Sequence, residues 1–191
     1  MRERRSSDWV VDLAGRHGIE AQVEHALIAH SELSLLRSST ASYDRLDFQL
    51  LGPGERLIEL EVKAKHQPLS EGWCRLRADV PPPDLFVLDE LAVRKIGDAG
   101  RYGFLLVRDI PMARWCLWSA GDLVVASRAR HTRVLKRSSA TRSKGKLVFN
   151  LAESGCDTQS LPEALDAVCA MTAQMESWWS AIDPWPRKGV Q

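Results

Sequence analysis

The sequence predicts a mixed α/β domain, with a central sheet flanked by helices and a basic, strand-plus-helix extension at its C-terminus. Three observations carry that reading. Residues 43–67, YDRLDFQLLGPGERLIELEVKAKHQ, alternate in polarity as a β-hairpin does. The runs DLFVLD at 84–89, GFLLV at 103–107 and KLVFNL at 146–151 are short and largely apolar, the mark of buried strands. Leu161, Leu165, Val168, Met171, Met175 and Trp179 then recur at spacings of 3 and 4, as on one face of a helix.

In chain order, Ser7 is placed to cap a helix over about Asp8 to Arg16, with Trp9, Val10 and Leu13 facing inward and Gly15 or Gly18 ending it. A second helix follows from about Ile19 to His30, on which Ile19, Val23, Ala26 and Leu27 form one apolar stripe. Glu20 lies roughly 70° from the centre of that stripe and Glu24 roughly 110° from it, so Glu20 is the acid turned toward the edge of the core. Leu33 to Arg37 is a first strand, and 38–42 a polar loop before the hairpin. After the hairpin, 68–77 is weakly patterned, a loop with a short helix, and three prolines at 81–83 end it. A turn-rich GDAGRYG separates the strands at 84–89 and 103–107, which are expected to be antiparallel neighbours. Apolar segments WCLW and LVVAS follow, split by a turn at Ala120–Gly121–Asp122. The last helix opens on Ser160 and Glu163, a capping box, tolerates Pro162 in its first turn and stops at Asp183–Pro184. Residues 1–127 are expected to form the core domain, with 128–191 packed on it.

Bulk composition excludes more than it assigns. The 191 residues are 45% hydrophobic and 27% charged with a net charge of +1, ordinary values for a globular chain. Cys74, Cys116, Cys156 and Cys169 stand far apart without a CxxC pair, which argues against a zinc ribbon or a disulfide framework. No stretch approaches the roughly 20 apolar residues of a membrane span, and Asp8 and Asp12 interrupt the N-terminal apolar run, so no signal peptide is expected. A cytoplasmic protein with reduced thiols and no membrane partner is the expectation. There is no P-loop, no GxSxG elbow and no HExxH helix, and His25 and His30, five apart, are poorly spaced as metal ligands.

The hairpin carries the chemistry. If Asp47 opposes Glu61, then Phe48 meets Leu60, Gln49 meets Glu59 and Leu50 meets Ile58. One face becomes wholly apolar, and the other gathers Asp47, Glu59, Glu61 and Lys63. Carboxylates crowded in this way raise each other's pKa. Mg²⁺ or Mn²⁺ relieves the conflict, since such ions take carboxylate and carbonyl oxygens, activate a water and steady the charge on a phosphate. Lys63, two residues from Glu61 on the same face, can orient that water or offset phosphate charge. The plainer alternative is a solvated surface hairpin with an incidental ion pair.

An acid on a helix, an Asp on one strand and Glu61–Val62–Lys63 on the next resemble the PD-(D/E)XK nuclease superfamily, which includes restriction endonucleases and Holliday-junction resolvases. GIEAQVEHAL also looks like that superfamily's first core helix. The resemblance runs over roughly residues 15 to 110, and implies a restriction-endonuclease-like fold and hydrolysis of phosphodiester bonds with bound Mg²⁺ or Mn²⁺. It makes Asp47, Glu61 and the Val62 carbonyl metal ligands, Lys63 a catalytic residue and Glu20 (or Glu24) an accessory acid. Leu46 stands where the motif's name has proline.

Nucleic acid, DNA above all, is the implied partner. Arg128, Arg130, Arg133, Lys136, Arg137, Arg142, Lys144 and Lys146 fall in a stretch without an acid. It reads either as a strip that tracks phosphates or as a solvated loop. Lys65 and His66 are placed to join from the rim of the site. The seven tryptophans read as core or interface residues; Trp9 and Trp179 sit at core positions, while Trp178 and Trp185 suit exposure or a homodimer contact. Two other classes of function remain consistent with the chain: a nuclease-fold subunit that binds nucleic acid without cutting, and an interaction module built on the Trp-rich last helix.

Overall fold

The computed structural model describes residues 6–39, 45–137 and 140–182, and side chains at 18–39, 45–132 and 145–181. The elements are α1 (Ser6–Ala29), β1 (Ser34–Ser38), β2 (Phe48–Gly52), β3 (Arg56–Lys65), α2 (Glu71–Cys74), β4 (Leu85–Asp89), α3 (Glu90–Asp98), β5 (Gly103–Asp109), β6 (Arg114–Ser119), α4 (Ala120–Val125), β7 (Arg128–Arg137), β8 (Ala140–Asn150), β9 (Cys156–Thr158) and α5 (Leu161–Ile182). A six-stranded sheet runs β1-β2-β3-β5-β6-β9 and a three-stranded one β4-β8-β7. Within the larger sheet only β3 and β5 pair in parallel; the other neighbours are antiparallel. The α/β expectation holds. No described helix is long and apolar enough to cross a membrane.

Alternation along the strands sorts the core into two main halves. Phe48, Leu50, Ile58, Leu60, Val62, Phe104, Leu106, Trp115 and Leu117 form one, closed by Val23 and Leu27 of α1 and by Leu161, Leu165 and Val168 of α5. Leu105, Val107, Cys116 and Trp118 point the other way, toward Ala92 and Ile96 of α3, Leu123 of α4, and Phe86, Leu88, Leu147 and Phe149 of the small sheet. Trp118 and Phe149 join the two sheets, their rings 5.2 Å apart. Gly145 has a steric role there. A Cβ at that position would lie 1.7 Å from Glu90 Oε2, so any side chain would force the Glu90 carboxylate aside.

Several expectations are corrected. Residues 6–29 form one continuous helix, because Gly15 and Gly18 cost roughly 1 kcal/mol each in a helix interior but do not break it. The strands at 85–89 and 103–107 are not neighbours: β4 pairs with β8 and β5 with β3. Between them, 90–98 is the helix α3, with Ala92 and Ile96 buried one turn apart. The turn expected at Ala120–Gly121–Asp122 is the first turn of α4, held by a capping box in which Ser119 N donates to Asp122 Oδ2 at 2.8 Å and Asp122 N donates to Ser119 Oγ at 3.1 Å. The basic stretch is a hairpin, β7 with β8, rather than a loop.

At α5, Ser160 Oγ accepts from Glu163 N at 3.4 Å, but the Glu163 carboxylate goes to the Thr158 hydroxyl instead of back to Ser160 N. Trp179 is 54% exposed, not core, and lies against the Arg101 guanidinium; Trp178 is exposed as expected. His30 bonds Asp166 at 3.1 Å, and all four cysteines are free thiols. Trp9, Val10, Leu13, Asp183, Pro184 and Trp185 lie outside the described side chains.

Candidate metal-dependent nuclease site

The hairpin register is the expected one: Phe48 pairs with Leu60, Gln49 with Glu59 and Leu50 with Ile58. The turn between the strands rests on Gly54, whose φ of +66° suits glycine. The β2–β3 ladder ends at Phe48, one residue short of Asp47. There the Asp47 carboxylate replaces a strand partner, and its Oδ2 accepts a hydrogen bond from Val62 N at 2.8 Å. The backbone of Asp47 is held on its other side, where its carbonyl accepts from Ser39 N at 2.7 Å. Asp47 is thus fixed by both neighbouring strands and is only 2% exposed.

Glu61 and Lys63 share the face opposite the apolar side of the hairpin, and Glu61 is 6% exposed. Lys63 Nζ lies 3.5 Å from Asp47 Oδ2, donates to the Val62 carbonyl at 2.9 Å and makes a close ion pair with Glu61 Oε1. Two carboxylates and one backbone carbonyl therefore converge on a single cation. The balance is incomplete. Burial, and then the nearby Asp47 carboxylate, push the Glu61 carboxyl above its ordinary value, against the pull of Lys63. Glu61 Oε2 is buried and has no hydrogen-bond partner.

Among the described residues no three His, Cys, Asp or Glu side chains gather in a group able to hold a metal. Asp47 and Glu61 thus bring two side chains, and any further protein donor has to be the Val62 carbonyl. Hard oxygen donors with a buried carboxylate oxygen to spare fit a divalent ion that keeps several waters. Glu20 is buried at 2% exposure on α1, whose Val23 and Leu27 pack on the apolar side of the sheet; Glu24 is only half-buried.

Glu59, on the same strand face as Glu61, is committed elsewhere. It accepts from Gln49 Nε2 at 2.6 Å and pairs with Arg37 at 3.5 Å. Lys65 corrects the expectation of a rim contact. It is 4% exposed, donates to the Pro83 carbonyl and faces Asp109 at 3.4 Å, so it has no surface to offer a ligand. His66 is exposed. Arg128 turns to the carbonyls of Leu123 and Val124 at the end of α4, and Arg130 pairs with Glu90 at 3.0 Å. Arg133, Lys136, Arg137, Arg142 and Lys144 lie outside the described side chains; their backbone belongs to the β7–β8 hairpin.

Sequence reasoning missed Arg37, Arg45 and Lys95. They line a cleft of about 440 Å³ beside the hairpin, together with Leu46, Glu59, Asp98 and Ala99. Lys95 had no signal to mark it, because α3 itself went unrecognised; Arg45, two residues before Asp47, did. The chain matches no family model, no curated protein and no solved structure.

Proposed function

We propose that this protein is a divalent-metal-dependent nuclease of the PD-(D/E)XK type, with a restriction-endonuclease-like core, that hydrolyses phosphodiester bonds in DNA. The observation that supports this reading most is the convergence of Asp47, Glu61 and the Val62 carbonyl on one cationic position, with Lys63 from the same strand at its centre. Those three would hold Mg²⁺ or Mn²⁺. The ion, when bound, lowers the pKa of a water and stabilises negative charge on the phosphate. The chain supplies the rest. The Val62 N–H orients the Asp47 carboxylate, the apolar half-core behind the hairpin fixes the register, and the Lys63 ammonium is a donor for the attacking water or a phosphate oxygen. Glu20 is proposed as the backing acid.

A second reading has an observation of its own. Lys63 already answers both carboxylates, as it would in a nuclease-fold subunit that binds nucleic acid or assembles with it but does not cut. A cleavage assay on plasmid and linear DNA with added Mg²⁺ or Mn²⁺ separates the two. The nuclease reading expects cleavage by the wild type, abolished by chelation and lowered by roughly 10² or more by Asp47→Ala and by Lys63→Ala. Cleavage near the wild-type rate in either variant overturns it, and DNA binding without cleavage or metal uptake favours the second reading.

A further inference from the structure

The cleft beside the hairpin is built from charge. Arg37 and Glu59 come from the strands, Arg45 from the approach to β2, and Lys95 and Asp98 from α3. Glu59 lies two residues from Glu61 on the same strand face, about 7 Å along it, and Leu46 precedes Asp47, so the cleft borders the candidate site. Its volume, about 440 Å³, falls at the scale of small-ligand pockets.

Resting on the nuclease reading, we propose that this cleft seats the phosphate next to the one cleaved, held by Arg45 and Lys95, with Arg37 as the wall between the cleft and the hairpin. Glu59 is already answered by Arg37 and Gln49, and the described lining also holds Asp98, Arg45 and Lys95. Arg45 is exposed and makes no ion pair with a described residue. Arg37 Nε is buried without a hydrogen-bond partner. Lys95 lies close enough to Glu61 for its charge to favour the ionised carboxylate, which ties α3 electrostatically to the site. Among the described lining residues three cations stand against two carboxylates, a cationic surplus of the kind a phosphodiester requires. The described lining is polar and charged apart from Leu46 and Ala99, which suits a phosphate. A phosphate seated there is held without regard to base sequence.

The test is fluorescence anisotropy with labelled duplex oligodeoxynucleotides of unrelated sequence in chelator, over a range of salt. The proteins compared are the wild type, Arg45→Ala, the Arg45→Ala/Lys95→Ala pair, and the charge-retaining Arg45→Lys/Lys95→Arg pair. The alanine pair is expected to weaken binding about tenfold on every sequence, and to flatten the slope of log K against log salt by about 0.9, the change for one phosphate no longer neutralised. Arg45→Ala, at an exposed position, is expected to show part of that loss with an intact fold. The charge-retaining pair is expected to restore most of it. In cleavage the alanine pair is expected to raise KM more than it lowers kcat. An unchanged affinity and salt slope, or a loss that charge-retaining substitution does not rescue, overturns the proposal. If the alanine pair cleaves like the wild type, the cleft assignment falls and the nuclease reading stands. If binding depends on the cleft but no metal supports cleavage, the nuclease reading falls and the cleft remains a DNA contact. No binding by the wild type overturns both.

Discussion

Lys63 and Lys65 lie two residues apart on one face of one strand, and they serve two different kinds of charge cluster. Lys65 belongs to a row across the end of the sheet. Its ammonium faces Asp109 Oδ2, which also takes Arg114 Nε at 3.2 Å. Arg114 reaches on to Asp84 at 2.6 Å and Asp157 at 2.7 Å. That row knits β3, β5, β6 and β9 to the segment before β4, and its cations come from the chain itself. Lys63 is half-buried against two acids, one of which is pushed above its ordinary pKa. The row pairs each of its acids with a cation of the chain and is structural. The hairpin cluster is strained in charge, reaches solvent and borders a cleft, as a binding site does.

Four substitutions or modifications break or sharpen that contrast. The largest effect on folding is expected from Arg114→Ala, which leaves the buried Asp109 carboxylate to Lys65 alone and unpairs Asp84 and Asp157. Chemical denaturation should show a loss of about 3–5 kcal/mol, and a near-wild-type midpoint would deny the row its structural role. Lys63→Ala is expected to lower cleavage by roughly 10²–10³, and, because it leaves Asp47 and Glu61 buried side by side without their cation, to cost stability that Mn²⁺ restores. Because the ammonium and a divalent ion compete for the same three oxygens, calorimetry should find Mn²⁺ affinity kept or raised in this variant; a weaker affinity would make Lys63 an organiser of the metal site.

Glu61→Gln tests the charge imbalance itself. A carboxyl whose folded pKa lies above its ordinary value of 4.5 contributes stability that is present in acid and lost as pH rises through the folded value. Without divalent ions, the glutamine variant is therefore expected to melt above the wild type at pH 7 to 8, with the gap closing as pH falls toward 4.5 and below. A variant that melts lower at neutral pH would show that the Lys63 pair outweighs burial. In the wild type, metal binding requires ionised Glu61 and should weaken as pH falls through the raised value.

The smallest effect concerns the thiols. Burial pushes Cys116 up to about 12 and Cys169 to about 11. A thiol reagent at pH 7 to 8 is expected to modify Cys74 and Cys156, which are half-buried, well before the other two.

What the sequence disclosed was whatever depends on neighbours along the chain or on pairing across one turn. The hairpin register was legible because a one-residue slip would put Phe48, Leu50, Ile58 and Leu60 on the wrong face. The apolar stripes of α1 and α5 were legible for the same reason, except at the last turn of α5. There Trp179 keeps the helical period but stays exposed, its ring against Arg101. Partnership between distant strands was hidden: nothing in DLFVLD or GFLLV says that one joins β8 and the other lies parallel to β3. The helix α3 was obscured by Gly97 in its last turn and Gly100 just beyond it. The fate of Lys65 was hidden because the Pro83 carbonyl and Asp109 that enclose it come from other parts of the chain. The start of α4 is a different case, since Ser119 and Asp122 spell a capping box that could have been read.

The central claim is that Asp47, Glu61 and the Val62 carbonyl share a divalent ion. Anomalous diffraction from a Mn²⁺-soaked crystal tests it without any assay of activity. The account expects one peak within bonding distance of both carboxylates and that carbonyl, with the Lys63 ammonium moved off them. Ordered density at these residues with no peak, and Lys63 still lodged between Asp47 and Glu61, would contradict it.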